Sequence, residues 1–155
     1  MRFVIAHPLR EFRLDAPEGS IALGDPIRIE QIVANLVSNA IKFSDEGTPV
    51  DVDIVREGVS VQIRVGDTGR GIPADKFGEI FEKFKRLEDP LRMETGGAGL
   101  GLFIVRQLAR AMGGEVAVVS ELGRGSTFTV TLTVSNSQTT AAQAPPERRA
   151  QDLAG

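Results

Sequence analysis

Val50-Asp-Val-Asp-Ile-Val55 and Val59-Ser-Val-Gln-Ile-Arg-Val65 are joined by Arg56-Glu57-Gly58. Both runs are rich in β-branched residues and a glycine sits in the short connection, so they read as an antiparallel hairpin. A second pair of this kind lies near the end, Val116 to Ser120 and Ser126 to Val134 around Glu121-Leu-Gly-Arg-Gly125. Between the pairs and before them the apolar period lengthens. Asp25-Pro26 opens a helix, with Asp as N-cap and Pro at the first helical position. Ile29, Ile32, Val33, Leu36, Val37, Ala40 and Ile41 then recur at helical spacing, and Ser44 to Pro49 breaks the pattern. A further helix over Leu100 to Met112 stops at Gly113-Gly114. Two tight strand pairs interleaved with helices predict a mixed, mainly antiparallel sheet with helices on one face, not a parallel doubly wound one.

The remaining segments add less. Arg2 to Ala6, Glu11 to Leu14 and Ile21 to Leu23 look like short strands. Ala74 to Lys85 is mixed and partly helical in character. Arg86 to Ala98, charged and ending in glycines, reads as a mobile loop. From Ser135 the chain is Ser, Thr, Ala, Gln and Pro without apolar periodicity, which predicts a disordered tail over 135–155 behind one domain over 1–134.

Bulk properties exclude several classes. At 155 residues the chain is long enough to bury one core. A net charge of -3 with mixed signs offers no basic surface for nucleic acid. The absence of cysteine removes disulfide and thiol chemistry. No run reaches the roughly 18 apolar residues of a membrane helix, and no signal pattern opens the chain, so the sequence predicts a cytoplasmic segment without membrane contact of its own. A membrane-anchored parent protein would hold it on the cytosolic side.

Three groups of residues carry possible chemistry. On the first helix Asn35, Asn39 and Lys42 share one edge beside the apolar stripe. Asparagine is a mediocre mid-helix residue. The amides either cap neighbouring backbone or offer neutral oxygens to a magnesium ion that already carries phosphate oxygens, with Lys42 meeting phosphate. Asp67-Thr-Gly-Arg-Gly71 follows a strand; it is either a common turn or a carboxylate placed to accept from an exocyclic amino group such as that of adenine. Gly96-Gly-Ala-Gly-Leu-Gly101 runs straight into the second helix, as a flexible hinge or as an anion site of backbone amides at a helix N-terminus. It is neither a P-loop nor a dinucleotide fingerprint, because no Gly-Lys-Ser/Thr follows and no strand precedes it. Phe81-Glu-Lys-Phe84 reads as core by default, and Arg86 and Arg92 could reach a γ-phosphate.

Asn35-Leu-Val-Ser-Asn39-Ala-Ile-Lys-Phe43, Asp67-Thr-Gly-Arg-Gly-Ile-Pro73, Phe81-Glu-Lys-Phe84 and Gly97-Ala-Gly-Leu-Gly-Leu102 occur in this order. They resemble the N, G1, F and G2 boxes of the catalytic ATP-binding domain of sensor histidine kinases, a superfamily that also holds DNA gyrase and the mismatch-repair ATPases. The resemblance covers about Glu11 to Val134 and implies a two-layer α/β sandwich that binds ATP and Mg2+. By position it implies Asp67 as the adenine-binding carboxylate, with Gly69, Gly71 and Ile72 beside the base. It implies Asn39 as the magnesium ligand, Asn35 and Lys42 near the phosphates, and Phe43 and Phe84 near the nucleotide. Gly97, Gly99, Leu100, Gly101 and Leu102 correspond to the junction of ATP lid and helix, and Arg86 to an arginine that assists phosphoryl transfer.

The hydrolases of the superfamily place a glutamate base one turn before the magnesium asparagine; here that position is Asn35. An amide takes no proton at useful pKa, so transfer to an external nucleophile is implied rather than hydrolysis. The family's phosphoacceptor is a histidine on dimerisation helices. The only histidine here, His7, precedes Pro8 outside any amphipathic helix, so the acceptor is expected on helices of the same or a partner kinase, with a response regulator downstream. Two other readings remain: a non-catalytic nucleotide-binding regulatory module, and a protein serine kinase of the anti-sigma type.

Overall fold

The computed structural model describes residues 10–15, 25–83 and 100–133. Five strands form one sheet: β1 (Phe12–Asp15), β2 (Val50–Glu57), β3 (Ser60–Asp67), β4 (Glu115–Glu121) and β5 (Gly125–Thr133). Two helices accompany them, α1 (Pro26–Phe43) and α2 (Gly101–Ala111). The strand order is β1-β2-β3-β5-β4, with β1 parallel to β2 and every other pairing antiparallel. The sheet is mixed and mainly antiparallel, as the two strand pairs predict.

Alternation along the strands separates the two faces. Val61, Ile63 and Val65 of β3 are buried, and their partners across the ladder, Phe128, Val130 and Leu132 of β5, are buried with them. The opposite face carries Asp51, Asp53, Gln62, Arg64, Thr127, Thr129 and Thr131, a polar surface suited to water. Against the apolar face α1 buries Ile32, Leu36, Val37 and Ala40, and α2 buries Val105 and Ala109. Phe81 closes this core edge-to-face on Phe128, with ring centroids 6.2 Å apart. The default reading of Phe81 as a core residue therefore holds.

Element ends follow local chemistry. The Asp25 carboxylate accepts from the Ile27 N–H at 3.0 Å, with Pro26 at the first helical position, as the N-cap reading predicts. At the end of α2 the Gly114 N–H donates to the Ala109 carbonyl and the Gly113 N–H to the Arg110 carbonyl. This is the paired bonding of a Schellman motif, and it explains why Gly113-Gly114 ends the helix. The first hairpin differs from expectation. Glu57 stands opposite Ser60, so the turn is Gly58-Val59 and both strands extend beyond the predicted limits. Glu57 and Arg64 approach one another across the two strands at 3.9 Å. Ala74–Lys76 forms one 3-10 turn followed by further turns rather than a longer helix. Of the expected features, the strands at Arg2–Ala6 and Ile21–Leu23, the loop over Arg86–Ala98 and the tail over 135–155 lie outside the described residues. No helix among the described residues is long and apolar enough to cross a membrane.

Candidate functional site

Asp67 is the last residue of β3, and the alternation that buries Val61, Ile63 and Val65 puts its side chain on the same face of the sheet, toward the helices. The residues after it turn sharply. The Asp67 carboxylate accepts from the Gly69 N–H at 2.8 Å, which closes the turn and fixes the carboxylate. The turn is pinned from two sides. The Arg70 N–H donates to the Phe43 carbonyl at the end of α1 at 3.3 Å, and the Arg70 carbonyl accepts from the Gly123 N–H of the β4–β5 connection at 2.8 Å.

The glycines have a steric reason. A Cβ on Gly69 would collide with the Phe43 carbonyl oxygen and stand 2.8 Å from the Asp67 carboxylate. Gly71 has φ +73, and a Cβ there would run into the Glu121 carbonyl. Gly69→Ala is therefore expected to push the Asp67 turn away from α1. The expected result is a stability loss of about 1–3 kcal/mol together with weaker adenine-nucleotide binding. Thermal melting and titration check it, and an unchanged melting point with unchanged affinity would refute the close packing.

Two hydroxyls complete the brace. Ser120 Oγ accepts from the Ile72 N–H at 2.8 Å, donates to the Gly125 carbonyl at 2.8 Å and meets Ser126 Oγ at 2.8 Å. Nothing in the sequence marks these serines; they flank a turn like many others. Burial raises the pKa of Asp67 above the usual aspartate value. The backbone N–H groups of Gly69 and Ser126 and the charge of Arg10 act in the opposite direction.

Across from this turn runs the edge of α1. Asn35, Asn39 and Lys42 are half-buried beside the apolar stripe, as their spacing predicts. None of the three side chains bonds to another described residue, so the amides do not cap backbone. The first turn of α2 approaches the same edge, since a methyl at Gly101 would lie 3.7 Å from Asn35 Oδ1. Leu100 supplies no side-chain cap to that helix start, so among the described residues no side chain meets its first N–H groups. Leu102 packs partly buried against the core. Phe43 ends α1 with the Arg70 guanidinium 4.8 Å over its ring, and Ile72 is buried below the Asp67 turn.

The structure thus gathers a fixed carboxylate, a row of open amides with a lysine, and a helix N-terminus around one end of the helical face. The other predicted site residues, Phe84, Arg86, Gly97 and Gly99, lie outside the described residues, as does His7. Among the described residues no cluster of three His, Cys, Asp or Glu side chains could hold a metal. A cation here would instead take the neutral oxygen of Asn39 with oxygens from its ligand, a donor set that suits magnesium.

This arrangement belongs to a known class: residues 24–136 match the histidine kinase-, DNA gyrase B-, and HSP90-like ATPases, and the chain is a member of that family. It is a catalytic domain of the sensor histidine kinase type. It is 43% identical over 106 residues to the circadian input-output histidine kinase CikA of Synechococcus elongatus, a match covering 68% of this chain and 14% of that kinase. Among solved structures it resembles the mycobacterial sensor histidine kinase MprB, with TM-score 0.71, 25% identity and coverage of 85% of this chain and 87% of that one. It also resembles full-length ShkA in complex with AMPPNP, with TM-score 0.69, 34% identity and coverage of 86% of this chain and 29% of that one. The fold expected from the four boxes is the fold observed.

Proposed function

We propose that residues 1–134 bind Mg-ATP and pass its γ-phosphate to a histidine on a separate helical phosphoacceptor domain, as one step of two-component signalling. The observation that carries this reading is that the Asp67 turn packs on the Phe43 end of α1 while the first turn of α2 approaches Asn35 on the edge that also carries Asn39 and Lys42. Asp67 accepts from the adenine amino group while the Gly69 N–H holds its other side. The edge of α1 then receives the triphosphate, with Asn39 as magnesium ligand and Lys42 as a point charge on phosphate. Magnesium, when bound, draws charge from the β- and γ-phosphate oxygens.

The N–H groups of the α2 start add donors to the same oxygens. No carboxylate stands at position 35 to take a proton from water; Asn35 contributes an amide only. The site therefore positions and stabilises, and the nucleophile comes from outside. MprB and ShkA support this reading as histidine kinases of the same fold, the second solved with an ATP analogue.

The test is to incubate the chain with γ-labelled ATP, magnesium and a separate histidine-bearing helical domain. An acid-labile, base-stable label on that domain is expected. A label that survives acid would mean a serine acceptor, and no label in protein that binds ATP would leave a regulatory nucleotide-binding module.

A further inference from the structure

Direct ladder pairings line up in one row across the sheet: Phe12 with Val50, Val50 with Asp67, Asp67 with Ser126 and Ser126 with Ser120. Residues in such a row share a face, and neighbouring Cβ atoms are about 5 Å apart. The row faces the helices, where Val50 and Ser126 are buried. Its first half is apolar. Its second half, Asp67, Ser126 and Ser120, sets polar side chains side by side at the end of the sheet where the Asp67 turn lies.

A serine hydroxyl has one hydrogen and two lone pairs. Ser120 Oγ accepts from the Ile72 N–H at 2.8 Å, which uses one lone pair. The Gly125 carbonyl, 2.8 Å away, can only accept, so the hydrogen of Ser120 is committed to it. The contact between Ser120 Oγ and Ser126 Oγ at 2.8 Å is then made with the hydrogen of Ser126. Ser120 Oγ is saturated. The hydroxyl of Ser126 is held with its hydrogen turned toward β4, and since Asp67 lies on the other side in the row, what Ser126 offers there is lone pairs alone.

Resting on the reading of Asp67 as the adenine acceptor, we infer that Ser120 is a positioning residue for base recognition, which locks the Ser126 hydroxyl as a second acceptor beside the Asp67 carboxylate. The spacing fits one exocyclic amino group. Two acceptors about 2.9 Å from the same nitrogen, one along each N–H, stand about 5 Å apart, the separation of neighbouring side chains in a row. Asp67 takes one hydrogen of the adenine amino group and Ser126 the other. Hypoxanthine brings a ring carbonyl to this point instead, and between two acceptors that oxygen finds no donor. Without Ser120 the Ser126 hydroxyl is free to rotate and donate to it. Ser120 therefore sharpens the preference for adenine from one hydrogen bond behind the residue that meets the base.

The experiment compares affinities for non-hydrolysable ATP and inosine triphosphate analogues in the whole chain, for the parent, Ser120→Ala, Ser120→Thr, Ser126→Ala and the double variant Ser120→Ala with Ser126→Ala, with melting curves for each. Ser120→Ala is expected to reduce the adenine-over-hypoxanthine ratio about fivefold, the scale of one neutral hydrogen bond, chiefly through tighter binding of the inosine nucleotide. Ser120→Thr keeps the hydroxyl and is expected to keep the ratio. In the Ser126→Ala background, Ser120→Ala is expected to leave the ratio where it stands, because no hydroxyl remains to turn. Equal weakening of both nucleotides in Ser120→Ala, or the same fall in ratio with and without the Ser126 hydroxyl, would overturn the inference and leave Ser120 a brace of the turn alone. Should Ser120→Ala prove too unstable to measure, Ser126→Ala carries the test by itself. It removes the second acceptor and is expected to lower the ratio, and an unchanged ratio would overturn the inference. A parent chain that binds ATP without preferring adenine would instead overturn the assignment of Asp67 itself.

Discussion

Asn39→Ala is expected to lower magnesium-dependent ATP affinity on the order of 100-fold, the scale on which disturbing a metal site acts. The reason is local. Asn39 is half-buried on the edge of α1, and its amide is bonded to no other described residue, so removing it takes nothing from the fold. Alanine is also the better helix former, by about 0.5 kcal/mol at a mid-helix position. The variant should therefore melt at or slightly above the parent temperature while losing the magnesium increment in affinity. Titrations with and without magnesium check this, and unchanged affinity at saturating magnesium would remove Asn39 from the metal site.

Asp67→Asn is expected to erase the preference for adenine over guanine nucleotides, because a group that only accepts becomes one that also donates. The stability consequence has a definite sign. Burial raises the pKa of Asp67, so the folded state holds the carboxyl proton more tightly than the unfolded chain does. The stabilisation from that proton is present at low pH and lost as pH rises through the folded value. At neutral pH the folded protein carries a charge it holds at a cost, and the neutral isostere relieves it. Asp67→Asn is therefore expected to melt no lower than the parent at neutral pH, although its base recognition is gone.

The same shift sets the acid limit of the parent. Its preference for adenine should fall in a pH range above the ordinary aspartate value, before unshifted carboxylates titrate. A preference that stays flat down to the ordinary value would contradict the burial of Asp67 as the dominant influence.

Local chemistry made much of this legible in the sequence. Asp25-Pro26 and Gly113-Gly114 marked helix limits because caps are set by residues in direct succession, and the apolar stripe from Ile29 to Ile41 named the buried face of α1 before any contact was known. Asn35 and Asn39 stood out because asparagine has no helical reason to recur one turn apart. The two hairpins gave the sheet type.

What was hidden depends on contacts far apart in the chain. The pairing of β3 with β5, which carries Ser126 to the side of Asp67, spans some sixty residues and leaves no local mark. The hydroxyl brace at Ser120 and the buried guanidinium of Arg10 were invisible for the same reason, since an arginine before a strand looks like any surface charge. Arg56 and Glu57 are polar enough to read as loop, whereas in the structure they continue the ladder opposite Val61 and Ser60. Tertiary pairing overrode the weak strand propensity of these charged residues.

The central claim is that the turn after Asp67 and the open edge of α1 form one Mg-ATP site. Calorimetric titration of the chain with a non-hydrolysable ATP analogue, with and without magnesium, tests it most directly. The account predicts saturable one-to-one binding that magnesium strengthens and Asn39→Ala weakens to the magnesium-free level. Folded protein that shows no heat of binding with magnesium present, in a range where the parent fold is intact by melting, would contradict it.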